Sequence, residues 1–175
     1  MPRNVEIKAR IPVEVFEQFR DRVAEISTSG PLKLSQTDTF FHCNHGRLKL
    51  RQFEDSTAEL IFYRRPDQAG PKISQFIISK CDPDTMLAIL AAAHGIVGVV
   101  EKRREVFFIN QTRVHLDEVE NLGTFLELEV VLEEEQSEEL GEKIANQILA
   151  DLNVPQSSLV SNAYIDLLQS RQDRL

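Results

Sequence analysis

Charge of a single sign recurs at every second residue in several short stretches of this chain. Arg47-Leu48-Lys49-Leu50-Arg51 alternates three cations with two leucines, and Leu126-Glu127-Leu128-Glu129 alternates carboxylates with leucines. Lys102-Arg103-Arg104 extends the theme, and in Asn4-Val5-Glu6-Ile7-Lys8-Ala9-Arg10 the second face is largely ionic but of both signs. In an extended strand, side chains two apart share a face, so each stretch has one apolar side and one ionic side. Two arrangements fit. An open antiparallel sheet with one wet face would simply expose the charges. A solvated face, however, normally mixes signs, and like charges two residues apart repel unless something of opposite charge sits between them. A closed sheet with its ionic faces turned inward would place lysines and arginines around a polyanion and carboxylates around a hard divalent cation.

The elements that must position these groups are mostly strands. Period-two alternation covers Arg3 to Arg10, Arg47 to Phe53, Glu59 to Arg65, Ile73 to Lys80, Lys102 to Asn110, Arg113 to Val119 and Phe125 to Leu132, with Gln36 to His42 as a further candidate. Asn44-His45-Gly46 and Pro66 to Pro71 read as turns, and Asn110-Gln111 as a tight hairpin. Helical spacing appears in Val13 to Ile26 after Pro12, in Asp84 to His94 between Asp82-Pro83 and Gly95, and in Ser137 to Leu152. A short helix is expected over Ala163 to Ser170. The acidic run from Glu133 to Glu142 reads as solvated first turns of a helix, where carboxylates favour the positive end of the dipole.

Composition narrows the classes. The 175 residues, 42% hydrophobic and 27% charged, suit one domain over 1–175 with a sizeable core. A net charge of -8 argues against a nucleic-acid polymer as partner. The longest apolar stretch, Met86 to Val100, is interrupted by His94, Gly95 and Gly98 and is too short to span a bilayer, so no membrane is expected. The charged opening residues lack the apolar core of a secretory signal, and Cys43 and Cys81 lack ligand-like spacing. A cytoplasmic location with free thiols is the expectation. Homodimer formation is compatible with the chain but not required by it.

These segments together resemble the CYTH superfamily, named for class IV adenylate cyclases and thiamine triphosphatases and including inorganic triphosphatases. The resemblance is carried by Asn4-Val5-Glu6-Ile7-Lys8, where Asn4 stands in place of the first Glu of a Glu-x-Glu-x-Lys strand, and by Gln36 to Phe41, Gly46 to Arg51 and Tyr63 to Asp67. It continues through Glu101 to Arg104, His115 to Val119, Leu122 to Glu129 and Ala163 to Leu168. It implies an α+β fold: a closed eight-stranded antiparallel barrel, or tunnel, holding a triphosphate, with helices packed outside. By motif, Lys8, Lys49, Arg51, Arg65, Lys80, Lys102 and Arg104 are the implied phosphate ligands. Glu6, Glu127 and Glu129, with Asp117 as a helper, are the implied ligands of magnesium or manganese. Lys8, crowded by cations, and Glu6 are the implied catalytic pair. His115 shares the face of Asp117 and ranks low as a site residue, while Tyr63 and Tyr164 read first as packing residues.

The resemblance leaves three functions open. In the first, an adenylate cyclase-like enzyme converts ATP to cyclic AMP and pyrophosphate, the branch closest to Asn4 to Arg10 and Arg65-Pro66-Asp67. In the second, the chain hydrolyses inorganic, thiamine or nucleoside triphosphate. In the third it binds polyphosphate or nucleotide without turnover, since Asn4 removes a negative charge from one metal site.

Overall fold

Alternation at period two becomes eight antiparallel strands in the computed structural model, which describes residues 1–174. In chain order these are β1 (Arg3–Arg10), β2 (Ser29–Phe41), β3 (Arg47–Phe53), β4 (Ala58–Arg64), β5 (Lys72–Cys81), β6 (Ile96–Ile109), β7 (Thr112–Val119) and β8 (Gly123–Val131). They close into a barrel in the order β1-β5-β4-β3-β2-β6-β7-β8, with β8 returning to β1 through pairs such as Glu6 opposite Glu129. Closure pairs every strand on both sides over part of its length, while the start of β2 and the end of β1 run past one of their neighbours. Four helices pack around it: α1 (Phe16–Ile26), α2 (Pro83–His94), α3 (Glu138–Asp151) and α4 (Tyr164–Gln172).

The barrel is turned inside out relative to an ordinary hydrophobic one. Val5, Ile7, Ala9, Val114, Leu116, Leu126, Leu128 and Val130 face outward and are buried beneath Phe19 and Val23 of α1 and Ala145, Ile148 and Leu149 of α3. On another side, Leu90 of α2 covers Phe41, Leu50 and Ala58. Apolar burial therefore lies between wall and helices, and the partner face of each strand is released to line the lumen. Helix starts follow capping chemistry: the Asp82 carboxylate accepts from the Thr85 amide at 2.9 Å, and the Ser137 hydroxyl from the Leu140 amide at 3.2 Å. Glu138 and Glu139 fall in the first turn of α3, whereas Glu133 to Glu135 precede it.

Two strands exceed their expected lengths. β2 begins at Ser29, and β6 begins at Ile96 straight after Gly95, running through Gly98. Gly98, one of the breaks in the apolar stretch, lies within β6, where its missing side chain admits α4, since a Cβ there would lie 2.7 Å from Ile165 Cδ1. The helices do not all stay outside either. The start of α4 enters one end of the barrel, where Ala163 and Tyr164 line the lumen and pack with Phe40, Val100 and Phe125.

Candidate functional site

The lumen is a cavity of about 380 Å³ reaching from Tyr164 at the plugged end to the open mouth. Each strand contributes alternate residues: Asn4, Glu6 and Lys8 from β1, Gln36 and Asp38 from β2, Lys49 and Arg51 from β3, Lys102 and Arg104 from β6, Arg113 and His115 from β7, Glu127 and Glu129 from β8.

One wall is cationic and organised by a single acid. Asp38 accepts hydrogen bonds from Lys49 at 2.9 Å, from Lys102 at 3.0 Å and from Arg51 at 2.8 Å through both guanidinium contacts. Burial alone would push its carboxyl up. Arg51, Lys102 and Lys49 more than reverse that, holding it well below the usual carboxylate range. The cations feel the converse. Burial, aided by Arg51, Arg104 and Lys49 against Asp38, brings Lys102 down to about 7, and burial with Arg51 lowers Lys49. Beside them Arg104 donates to both oxygens of Asp117 at 2.7 Å, and the Tyr164 hydroxyl donates to Asp117 at 2.6 Å. This is a fork held from behind by a buried carboxylate.

The facing wall is acidic. His115, Glu127 and Glu129 each offer one ligand atom, and those atoms lie within 4.8 Å of one another. His115 Nδ1 is 3.3 Å from Glu127, which also accepts from Arg104 at 3.2 Å and faces Lys8 at 3.5 Å. Glu129 accepts from Arg113 at 2.9 Å. Glu6 stands opposite Glu129 in register and 3.6 Å from Arg65. Burial, reinforced by Glu127 and Glu129 and opposed by Arg65, pushes its carboxyl up to about 7. Burial also raises Glu127 and Glu129, but Lys8 with His115 holds the first well below its ordinary value, and His115 with Arg113 lowers the second. The Asn4 amide oxygen is buried without a hydrogen-bond partner.

Lys8 occupies the plugged end, its ammonium 3.8 Å above the Tyr164 ring and 3.5 Å from the Asn162 carbonyl. Burial draws its pKa down against the pull of Glu127. Lys72 and Arg65 donate to the Ser161 carbonyl at 3.0 and 3.3 Å, so basic side chains pin the strap that leads into α4.

Of the residues read from sequence, Glu6, Lys8, Lys49, Arg51, Arg65, Lys102, Arg104, Glu127 and Glu129 line this one cavity. Lys80 does not. It is exposed near the end of β5, opposite Glu59. Asp117, expected as a metal helper, is fully buried with its oxygens engaged by Arg104 and Tyr164, and it is not among the grouped ligand atoms of His115, Glu127 and Glu129. Sequence reasoning passed over Asp38 and Arg113, which also line the cavity, and over Lys72, which holds the Ser161 carbonyl; it ranked His115, another lining residue, low. The Asp38 opposite Arg51 register is the signal that an extended β2–β3 hairpin would have offered.

A closed antiparallel barrel with an ionic lumen and a helix plugging one end defines a tunnel protein of the α+β class. The chain belongs to the CYTH domain family, whose model matches residues 2–164. Its fold is shared by the PH1012 protein of Pyrococcus horikoshii, at 20% identity, TM-score 0.80, with 94% of this chain and 98% of that one covered. A candidate adenylate cyclase of Vibrio parahaemolyticus is similar at 14% identity and TM-score 0.74, over 95% and 97% of the two chains. The Mimivirus capping enzyme triphosphatase is similar at 11% identity and TM-score 0.61, over 86% and 89%. No curated protein matches the chain.

Proposed function

We propose that this chain is a metal-dependent enzyme that takes a triphosphate into the tunnel and breaks one of its phosphoanhydride bonds. The observation that carries this reading is the opposition, across one cavity, of three cations sharing a single carboxylate and a cluster of carboxylates with a histidine. Asp38 can neutralise only part of the charge of Lys49, Arg51 and Lys102. A polyanion supplies the remainder. Lys49, Arg51, Lys102 and Arg104 are the phosphate ligands in this account, joined by Lys8 and Arg65 toward the plugged end, while exposed Lys80 acts only through long-range attraction of the incoming anion.

His115, Glu127 and Glu129 have the donor types and proximity to hold a divalent cation, with Glu6 adjoining. The orphaned Asn4 oxygen offers a neutral acceptor where the family pattern has a carboxylate. A nitrogen among oxygen donors suits manganese better than magnesium. When bound, such an ion neutralises phosphate oxygens and acts as a Lewis acid. The chain's own contribution is to hold the phosphorus centres in line and to present fixed guanidinium and ammonium groups to charge that develops on the equatorial and leaving oxygens. Lys8 and Glu6 are the residues we assign to handling the nucleophile.

Attack by the ribose 3′-hydroxyl on the α-phosphorus of ATP gives cyclic AMP and pyrophosphate, the class IV cyclase reaction. Attack by water gives hydrolysis. Both readings place Lys8 at the end closed by Ala163 and Tyr164. Incubating the protein with manganese or magnesium and either ATP or inorganic triphosphate decides between them. Cyclic AMP with pyrophosphate identifies the cyclase and orthophosphate the hydrolase. Binding without any product would leave a binding module and overturn the proposal.

A further inference from the structure

Tyr164 stands where three parts of the site meet, although its place in the sequence marks it only as a packing residue. It opens α4 and is buried at the plugged end of the lumen, its ring tilted against Phe125 at 4.9 Å between centroids. The hydroxyl donates to Oδ2 of Asp117 at 2.6 Å, the same oxygen that accepts from Nη2 of Arg104 at 2.7 Å. The ring lies 3.8 Å from the Lys8 ammonium. One side chain therefore touches the residue assigned to the nucleophile and, through Asp117, reaches a phosphate ligand.

Neither of those cations has a firm seat without it. Asp117 is fully buried, so its oxygens depend on donors from the protein. Of the hydrogen bonds its side chain accepts, only those of Arg104 would remain if the hydroxyl were removed. The bare oxygen would then draw the guanidinium back from the lumen and from Glu127, which it meets at 3.2 Å. Lys8 depends on the ring. Its polar contacts, the Asn162 carbonyl and Glu127, both lie at 3.5 Å, long for charge-assisted bonds. An ammonium over an aromatic face gains most where water is excluded, as it is here.

Tyr164 is itself on a fixed mount. The Ala163 amide donates to Asp166 at 3.1 Å, and Asp166 accepts from Arg47 of β3 at 2.7 Å, which ties the first turn of α4 to the barrel. The strap before it is fastened to β1, where the Val160 amide donates to the Lys8 carbonyl at 2.9 Å and Leu159 bridges to Ala9. A side chain held this way imposes geometry on the groups it touches.

We propose that Tyr164 is a positioning residue for the triphosphate reaction, setting Arg104 through Asp117 with its hydroxyl and seating Lys8 with its ring. The inference rests on the tunnel acting on a triphosphate, and it holds for cyclisation and hydrolysis alike. It gives the two parts of one side chain separate effects: the hydroxyl acts on affinity for phosphate and the ring acts on rate.

The test compares Tyr164→Phe, which keeps the ring, with Tyr164→Leu, which keeps neither part. Leu168→Ala is the control, because it loosens the packed face of α4 without touching this network. Binding of inorganic triphosphate is measured by calorimetry in EDTA, and kcat and KM with manganese on ATP and inorganic triphosphate, at a temperature where circular dichroism shows each protein folded. Tyr164→Phe is expected to weaken binding and raise KM by about five-fold while kcat stays within about two-fold. Tyr164→Leu is expected to weaken binding to a similar degree and also to lower kcat by about ten-fold or more, so that the ring alone restores the rate. Leu168→Ala should leave affinity and kcat within about two-fold.

Parental affinity in Tyr164→Phe, equal kcat in the Phe and Leu variants, or a Leu168→Ala variant that reproduces either loss would overturn the assignment and reduce Tyr164 to packing. Should Tyr164→Leu not fold, the contrast between Tyr164→Phe and Leu168→Ala still decides. An unmodified protein that neither binds nor turns over a triphosphate would bring down the function proposed above, and is recognisable as such because it precedes any substitution.

Discussion

The wall formed by β2, β3 and β6 and the wall formed by β1, β7 and β8 face each other across one lumen, yet they handle buried charge in opposite ways. On the first, one carboxylate gathers three cations at 2.8 to 3.0 Å, giving a stiff array that carries net positive charge. On the second, Glu129 is paired with Arg113 at 2.9 Å, but the closest cation contacts of Glu127 and Glu6 lengthen to 3.2 and 3.6 Å, and Glu6 is pushed up to about 7 by burial and by its acidic neighbours. The cationic side is closely paired throughout, whereas the acidic side is compensated unevenly, least at Glu6. A fold seldom keeps unlike excess charge on two sides of a cavity unless a third party completes both. In the function proposed above, a polyanion completes the first and a divalent cation the second.

The largest effect is expected from removing the hub. Asp38→Ala leaves Lys49, Arg51 and Lys102 buried against one another and should lower stability by about 3–5 kcal/mol in denaturant titration, with added triphosphate restoring part of the loss. A variant as stable as the parent would dissolve the distinction between the walls. Next comes the acidic side. Glu127→Gln should reduce turnover by about 100-fold or more while circular dichroism stays unchanged. Full activity in that variant would remove the metal assignment.

Tyr164→Phe deletes one donor to Asp117 and should cost about 1.5–3 kcal/mol, since the bond is made to a charged group. The same denaturant series reads it, and a neutral outcome would detach the plug from the cationic wall. The pH profile sharpens the contrast further. Lys102 sits at about 7 in the fold, against an unfolded value of about 10.4. Between those values the unfolded chain binds more protons, so stability of the ligand-free protein rises with pH from about 7 toward 10. Lys8, Lys49 and Lys72, all lowered, act in the same direction. Glu6 acts oppositely, but its window closes near 7. Melting temperatures that fall steadily above pH 7 would contradict this. The smallest effect is Lys80→Ala, within about 0.5 kcal/mol in stability and within two-fold in KM, because the side chain is exposed outside the cavity.

Much of this comparison could be read from residue order. Leu126-Glu127-Leu128-Glu129 and Arg47 to Arg51 declare their two faces because period-two alternation survives any tertiary arrangement. The closed barrel followed from the family resemblance. What stayed hidden was relational. Asp38 sits in a polar strand with no neighbouring charge to mark it, and its partner Lys102 is 64 residues away. Asp117 reads as a metal ligand in one dimension and becomes the support of Arg104 once β6 and β7 pair them in register. His115 is a lone imidazole until β8 brings Glu127 beside it. Lys80 failed for a geometric reason: β5 carries it past the ionic layers, next to Glu59 at the exposed end. Gly98 showed in sequence only as a break in an apolar run, because its role lies in what packs upon it.

The most direct test of the two-wall account is calorimetric titration of inorganic triphosphate into the protein with and without manganese, repeated for Lys102→Ala and Glu127→Gln. The account predicts one site per chain, weakened about ten-fold or more by Lys102→Ala, and tightened by manganese in the parent but not in Glu127→Gln. Absence of binding, or binding indifferent to both substitutions and to the metal, would contradict it.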